Sequence, residues 1–377
     1  MNIHDYLESF EKKNPFSDNQ FLSRHISFLQ KGQGIPKDSS FKVAIIGVPD
    51  DKEVHTFESA RQIRENLYNL AALTAKLTII DLGNIKTGNS FTDTCFALCE
   101  IITTLNADGT LVVLLGSSSA FNIGNIMAYR QSDSLINMAV IDSTISKEEI
   151  PPFVLTKDNL FPGTETFKLF NYINIAYQSY FVERETLDFI EDSNYEAYRV
   201  GYVRANIKEM EPVLRDADLV SFSLNSLKHS DAPGVNRSSP NGLSSEEACQ
   251  LAFYAGHSNR VKSFNVWDLA PDKDIHQTTS KLAAQIIWYF FEGLSNAIPE
   301  EPQSNTEHFI KYLIHLNQTD QDIAFFKSNL TNRWWMEITL AQSNQNITLS
   351  CSPNDYELAC QQDIPDRWWR TFQRFSH

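Results

Sequence analysis

The chain has 377 residues, 42% of them hydrophobic, enough to bury a large core without staples. Its formal charge of −15 argues against nucleic acid or an anionic membrane as partner, because phosphate binding needs a basic surface. Five cysteines, an odd number with no CxxC pair, read neither as a disulfide framework nor as a zinc site.

The N-terminus, MNIHDYLESFEKKNPF, lacks an apolar signal core, and no run reaches membrane-spanning length. The expectation is a cytoplasmic protein whose Asn-x-Ser/Thr sequons at Asn236, Asn317, Asn329 and Asn346 are inert. Residues 1–40 show no clear period and read as an N-terminal extension. KVAIIGVPDD then has the form of a buried parallel strand closed by a turn. SARQIRENLYNLAALTA has helical spacing, LTIIDLGN is the next strand, and FTDTCFALCEIITTL is a helix with Cys95 and Cys99 on one face. GTLVVLLGSSSA is a strand with a loop at its C-terminal end, NIGNIMAYRQ a helix, and LINMAVIDST a further strand ending in polar residues. FNYINIAYQ, EAYRVGYV, ADLVSFSLN and RVKSFNVWDLAP continue the strand series, with helices through SSEEACQLAFYAGH and TSKLAAQIIWYFFEGL.

This alternation predicts a three-layer α/β/α domain over residues 41–298 with a mainly parallel central sheet. Ligands of such sheets bind outside the carboxyl ends of the strands. Past EPQSN the texture changes, and residues 299–377 read as a small α+β appendage carrying NRWWMEITL and PDRWWRTFQRF. The paired Arg-Trp-Trp could form a stacking surface, but tryptophans of this kind more commonly pack one unit against another.

Taken together, the strand ends resemble those of the ureohydrolases: arginase, agmatinase and formimidoylglutamase. The resemblance covers most of residues 42–295. IIGVPDD and SARQIRENLYNL resemble the family's opening strand and Ile-Arg helix. LVVLLGSSSA stands where the family writes Gly-Gly-Asp-His, AVIDSTIS where it writes Asp-Ala-His-x-Asp, and VSFSLNSLKHSDAPG where it writes Ser-Phe-Asp-x-Asp and Ala-Pro-Gly. NGLSSEEA follows in register, with Ser244 and Glu247 spaced as a capping box. The Asp-Ala-Pro-Gly spelling and the aromatic C-terminal segment are most similar to the formimidoylglutamase branch.

The resemblance implies hydrolysis of C–N bonds in linear amidines by a hydroxide held between two manganese ions. It also implies a homo-oligomer. Four aspartates and two histidines would hold the metals, but here the loop histidine falls on Ser119, the next histidine on Thr144 and its following aspartate on Ser146. The final pair falls on Ser223 and Asn225, so only Asp142 is retained. The substrate-side glutamate falls on Asp268. No histidine occurs between His55 and His229, so a shifted alignment does not restore the ligands. Two dications about 3.5 Å apart repel by roughly 19 kcal/mol at an effective dielectric of about 20, which one carboxylate does not offset. The expectation is therefore a pseudoenzyme with no cofactor and an unidentified small-molecule ligand. The alternative is a divergent amidine hydrolase, for a formimidoylglutamate-like substrate, with a weak or single manganese site.

Other readings compete at the same loops. LVVLLGSSSAF has the shape of a nucleophile elbow with Ser118 as nucleophile and His257 or His276 as base. The same loop could bind an anion at a helix N-terminus, or be a plain turn. Asp142 could simply cap its turn, and Asp268 could form an ordinary salt bridge or loop cap. His229 and Arg237, flanking Ala-Pro-Gly, make the pocket mouth basic, either as an anion-binding feature or as ordinary surface.

Overall fold

A computed structural model describes residues 3–10, 20–30, 41–50, 56–129, 135–146, 169–304, 306–317, 321–340 and 345–376. Its strands are β1 (Leu7–Glu8), β2 (Ile26–Phe28), β3 (Val43–Gly47), β4 (Ile79–Ile85), β5 (Leu111–Leu115), β6 (Asn137–Ile141), β7 (Asn171–Tyr177), β8 (Glu196–Arg199), β9 (Leu219–Ser223) and β10 (Ser263–Trp267). They form one sheet in the order β1-β4-β3-β5-β10-β9-β6-β7-β8, with β2 also on β4. Every pairing in it is parallel except β1 with β4.

Near-continuous apolar strands are what a sheet covered on both faces requires. Val43, Ile45, Val113 and Leu115 face one core with helices α1 (Glu58–Leu67), α5 (Val200–Ala205), α6 (Met210–Arg215), α7 (Ser245–Gly256) and α8 (Thr278–Ser295). Ala44, Ile46, Val112 and Leu114 face the other with α2 (Phe91–Ala107), α3 (Asn122–Met127) and α4 (Arg184–Asp192). The molecule has the three-layer arrangement expected from the alternating pattern. Cys95 and Cys99 are both buried on α2.

Local chemistry fixes the helix ends. Ser90 caps α2 by accepting from the Asp93 amide, and Ser244 with Glu247 completes the capping box of α7. α7 and α8 pack so closely that a Cβ on Gly256 would lie 2.2 Å from the Phe290 carbonyl, so only glycine fits there.

Several elements differ from expectation. The helix from Ser59 stops at Leu67, because the following residues turn to pair with the N-terminal segment: Ala71 bridges Phe21 and Leu22 N donates to Leu70 O. EAYRVGYV is strand only to Arg199 and then becomes α5, a tertiary override of its β-rich composition. The stretch before residue 41, aperiodic in sequence, contributes β1 and β2 to the sheet edge. The end of NIGNIMAYRQ, from Arg130, lies outside the described residues.

A second, antiparallel sheet follows: β11 (Phe309–Leu316), β12 (Gln321–Ser328), β13 (Trp334–Leu340) and β14 (Gln345–Cys351), in that order. Helices α9 (Pro353–Cys360) and α10 (Asp366–Ser376) complete this α+β unit. Its tryptophans are mostly consumed by packing. Trp334 stacks between Tyr312 and Tyr356, Trp368 stacks on Phe372, and Trp335 receives the Arg215 guanidinium 4.3 Å from its ring centre. Arg367 reaches from α10 into the first sheet's periphery, donating to Glu196 at 3.1 Å and Asp216 at 3.2 Å.

Candidate functional site

The polar residues predicted from the strand ends converge at the carboxyl ends of β5, β6, β9 and β10, which are neighbours in the sheet. Asp142 follows β6 and is 7% exposed. Its Oδ1 accepts from the Thr144 amide at 3.0 Å and from the Ser143 and Thr144 hydroxyls at 3.3 Å each. This is an Asx-type turn, so the turn-cap reading of Asp142 is correct as local geometry. Burial raises its carboxyl above the usual range, against the opposing pull of Arg237 and of these hydrogen bonds.

Ser223 ends β9 and is 1% exposed. Its hydroxyl donates to Asp268 Oδ2 at 2.6 Å and accepts from the Asn225 amide at 3.2 Å. Ser223 is also among the groups that lower the Asp142 carboxyl against the effect of burial. Asp268, just past β10, has φ 71°, a left-handed conformation that side chains other than glycine adopt at a cost of about 1–3 kcal/mol. The surrounding contacts, the Ser223 hydrogen bond among them, sustain this conformation.

Asn225 Oδ1 accepts from the Arg237 backbone amide at 3.0 Å. The Arg237 guanidinium turns inward: Nη1 donates to Thr144 Oγ1 at 3.1 Å, and Nη2 lies 3.8 Å from Asp142 Oδ2. Asp142, Thr144, Ser223, Asn225, Asp268 and Arg237 therefore form one connected cluster. Arg237 uses one guanidinium donor inside it, while its side chain stays 54% exposed at the rim.

Ser119 begins a short 3-10 turn after β5, and Ser118 precedes it without capping it by its side chain. Ser117 donates to Leu269 O, which ties this loop to the residue after Asp268. Ser146 is half-buried beyond Ile145. His229 points away from the cluster and pairs with Ser238 at 2.6 Å on an exposed turn. The nucleophile-elbow reading gains no base: His257 caps α7 and packs on Phe253, near Arg215 and Arg333, while His276 is exposed.

A floor of amides escaped the sequence reading. Asn122 Nδ2 donates to Ser221 at 2.8 Å, and its Oδ1 accepts from Asn265 at 3.2 Å and Trp267 Nε1 at 3.0 Å. Asn174, fully buried in β7, donates to Thr144 O at 2.9 Å. The available signal was a polar residue inside each apolar strand: Ser221 in LVSF, Asn265 in SFNVW and Asn174 in INIAY. Such residues must be hydrogen-bonded when buried, so their presence marks a built network.

The donor chemistry does not fit a manganese pair. Of the six positions to which the resemblance assigns ligands only Asp142 carries a charge, and the nearby Asp268 accepts from Ser223. Among the described residues no three acidic, imidazole or thiol groups converge to hold a metal ion. Manganese prefers carboxylate oxygen and imidazole; serine, threonine and asparagine oxygens are neutral.

A parallel sheet with polar residues gathered at the carboxyl ends of its central strands defines an α/β protein of the arginase architecture. The Arginase family model matches residues 165–292. The chain is 24% identical to the formimidoylglutamase of Staphylococcus haemolyticus over 240 residues, 60% of this chain and 76% of the relative. It is 22% identical to that of Bacillus subtilis, over 67% of this chain and 86% of the relative. The crystal structure of the Bacillus subtilis formimidoylglutamase superposes with a TM-score of 0.62 at 19% identity, over 78% of this chain and 98% of that one. Trypanosoma cruzi formiminoglutamase with manganese gives a TM-score of 0.58 at 19% identity, over 70% and 97%. The chain shares the fold of these proteins and is similar to the ureohydrolases (arginase family), the formimidoylglutamases among them.

Proposed function

We propose that this chain is a ureohydrolase-fold protein that does not hydrolyse amidines and acts through binding or self-assembly. The observation that carries this reading is the Ser223 hydroxyl at 2.6 Å from Asp268. Ser223 stands where the family motif places a metal-binding carboxylate, and its hydroxyl now donates to Asp268. A bridging hydroxide requires cations to lower its pKa, and neutral oxygens at Thr144, Ser146, Ser223 and Asn225 do not hold them.

A second reading has one observation behind it. Asp142 and Asp268 remain acidic and share Ser223, so a single weakly held cation could serve a formimidoylglutamate-like substrate. One experiment separates the two. The protein is purified with manganese present, its metal content is measured, and release of ammonia, formamide or urea is followed from formimidoylglutamate, agmatine and arginine. The first reading expects no stoichiometric metal and no turnover; stoichiometric manganese with turnover overturns it.

A further inference from the structure

We infer that the Arg237 guanidinium is a tethered cation: it supplies within the chain the positive charge that manganese supplies in the Trypanosoma cruzi enzyme. This rests on the non-hydrolytic reading above. Arg237 touches three of the former ligand positions, through Nη1 to Thr144 at 3.1 Å, Nη2 toward Asp142 at 3.8 Å, and its backbone amide to Asn225 at 3.0 Å. Asp142 is the sole acid among the six positions, and a buried carboxylate without a cation is costly.

The loop that delivers Arg237 is held from both sides. Gly234 N donates to Thr279 Oγ1 at 2.7 Å, and Ala270 N donates to Gly234 O at 2.9 Å. Val235 forms a bridge with Leu269, and His229 N donates to Ser239 O at 2.7 Å. A Cβ on Gly234 would lie 2.4 Å from Asp274 Cβ, so the chain passes too close there for any other residue. The Arg237 backbone is thus anchored while its side chain, 54% exposed, spans from the loop to β6. Arginine suits this task because it stays charged and its planar fork meets a hydroxyl and a carboxylate together.

Two arms test the assignment. In metal-free buffer with chelator, thermal unfolding is measured for the wild type, R237M, D142N and the double variant. Each single change is expected to lower the midpoint by roughly 2–4 °C. The double variant is expected to melt no lower than the weaker single one, because the charge and its partner leave together. Losses that simply add overturn the proposal. In the second arm manganese is titrated calorimetrically into S223D/N225D with and without R237M. At least tenfold tighter binding is expected once Arg237 is gone, and equal affinity overturns the proposal. If the aspartate variants fail to fold, the first arm decides alone. Stoichiometric manganese on the wild type would instead remove the non-hydrolytic reading, a result distinguishable from additive losses without metal.

Discussion

Ser223 Oγ and Asp268 Oδ2 are joined by a hydrogen bond of 2.6 Å across the ends of two adjacent parallel strands. The contact links the end of β9 to Asp268, the residue after β10. It makes the polar ends of the two strands mutual partners.

A charge at that position is therefore expected to be worse than its absence. S223A loses one hydrogen bond, at about 1–2 kcal/mol. S223D sets a carboxylate against Asp268 and Asp142, at roughly 2–4 kcal/mol without metal. Urea unfolding of the two variants in chelator checks the order; S223D as stable as S223A would contradict it.

Arg64 and Asp81 form a fully buried pair beneath the sheet edge. Arg64 Nε donates to Asp81 at 2.8 Å, and its Nη2 donates to Asp81 at 3.1 Å and to Gly83 O at 2.6 Å. Nη1 donates to Asn84 at 2.7 Å. R64M leaves the buried Asp81 without its cation, held only by the Tyr68 hydroxyl and the Gly83 amide, with an expected loss of about 3–5 kcal/mol. R64K is expected to recover little, since an ammonium does not reproduce the fork. Denaturant midpoints of both variants decide this.

The C-terminal unit is clamped by Arg367. Burial pushes the Glu196 carboxyl up, but Arg367 and Arg374 outweigh it, and the net position is below the ordinary carboxylate value. An acid whose folded pKa is lowered contributes stability above its unfolded pKa, and that contribution is lost as pH falls through the folded value. Acid unfolding followed by Trp fluorescence is expected to begin at higher pH in R367M than in the wild type. An unchanged acid transition would show that the clamp is not load-sharing.

His257 predicts a second pH window. Burial first, then Arg333 and Arg215, push its imidazole down to about 4. The unfolded chain binds that proton at about pH 6.5, so stability present above pH 6.5 declines as pH falls toward about 4. H257Q is expected to flatten this slope in urea midpoints measured between those pH values, and an identical slope would refute the assignment.

Much of the fold was legible because its rules are local. VAIIG, LVVLL and NMAVI are apolar throughout, as strands covered on both sides must be, and Ser244 with Glu247 announces the start of α7. The site positions were also readable, since motif spacing fixes which residues leave the ends of β5, β6 and β9. The direction of Arg237 was not readable. Its sequence neighbours, Asn236 and Ser238, say nothing of a partner 95 residues away, and a basic residue beside a turn looks like ordinary surface. The amide floor was equally hidden, because Asn122, Ser221 and Asn265 meet only after three separate segments are stacked.

The sequence by itself determined the strand–helix alternation and which polar residues stand at the strand ends. Periodicity, caps and spacing act over a few residues, and the chain states them openly. The tertiary structure alone decided how those residues are satisfied: Ser223 on Asp268, Asn225 on the Arg237 amide, Thr144 and Asp142 on its guanidinium. Hydrogen bonds and ion pairs depend on distances of a few ångströms between segments remote in sequence. Only the parallel sheet, by bringing four strand ends side by side, sets those distances.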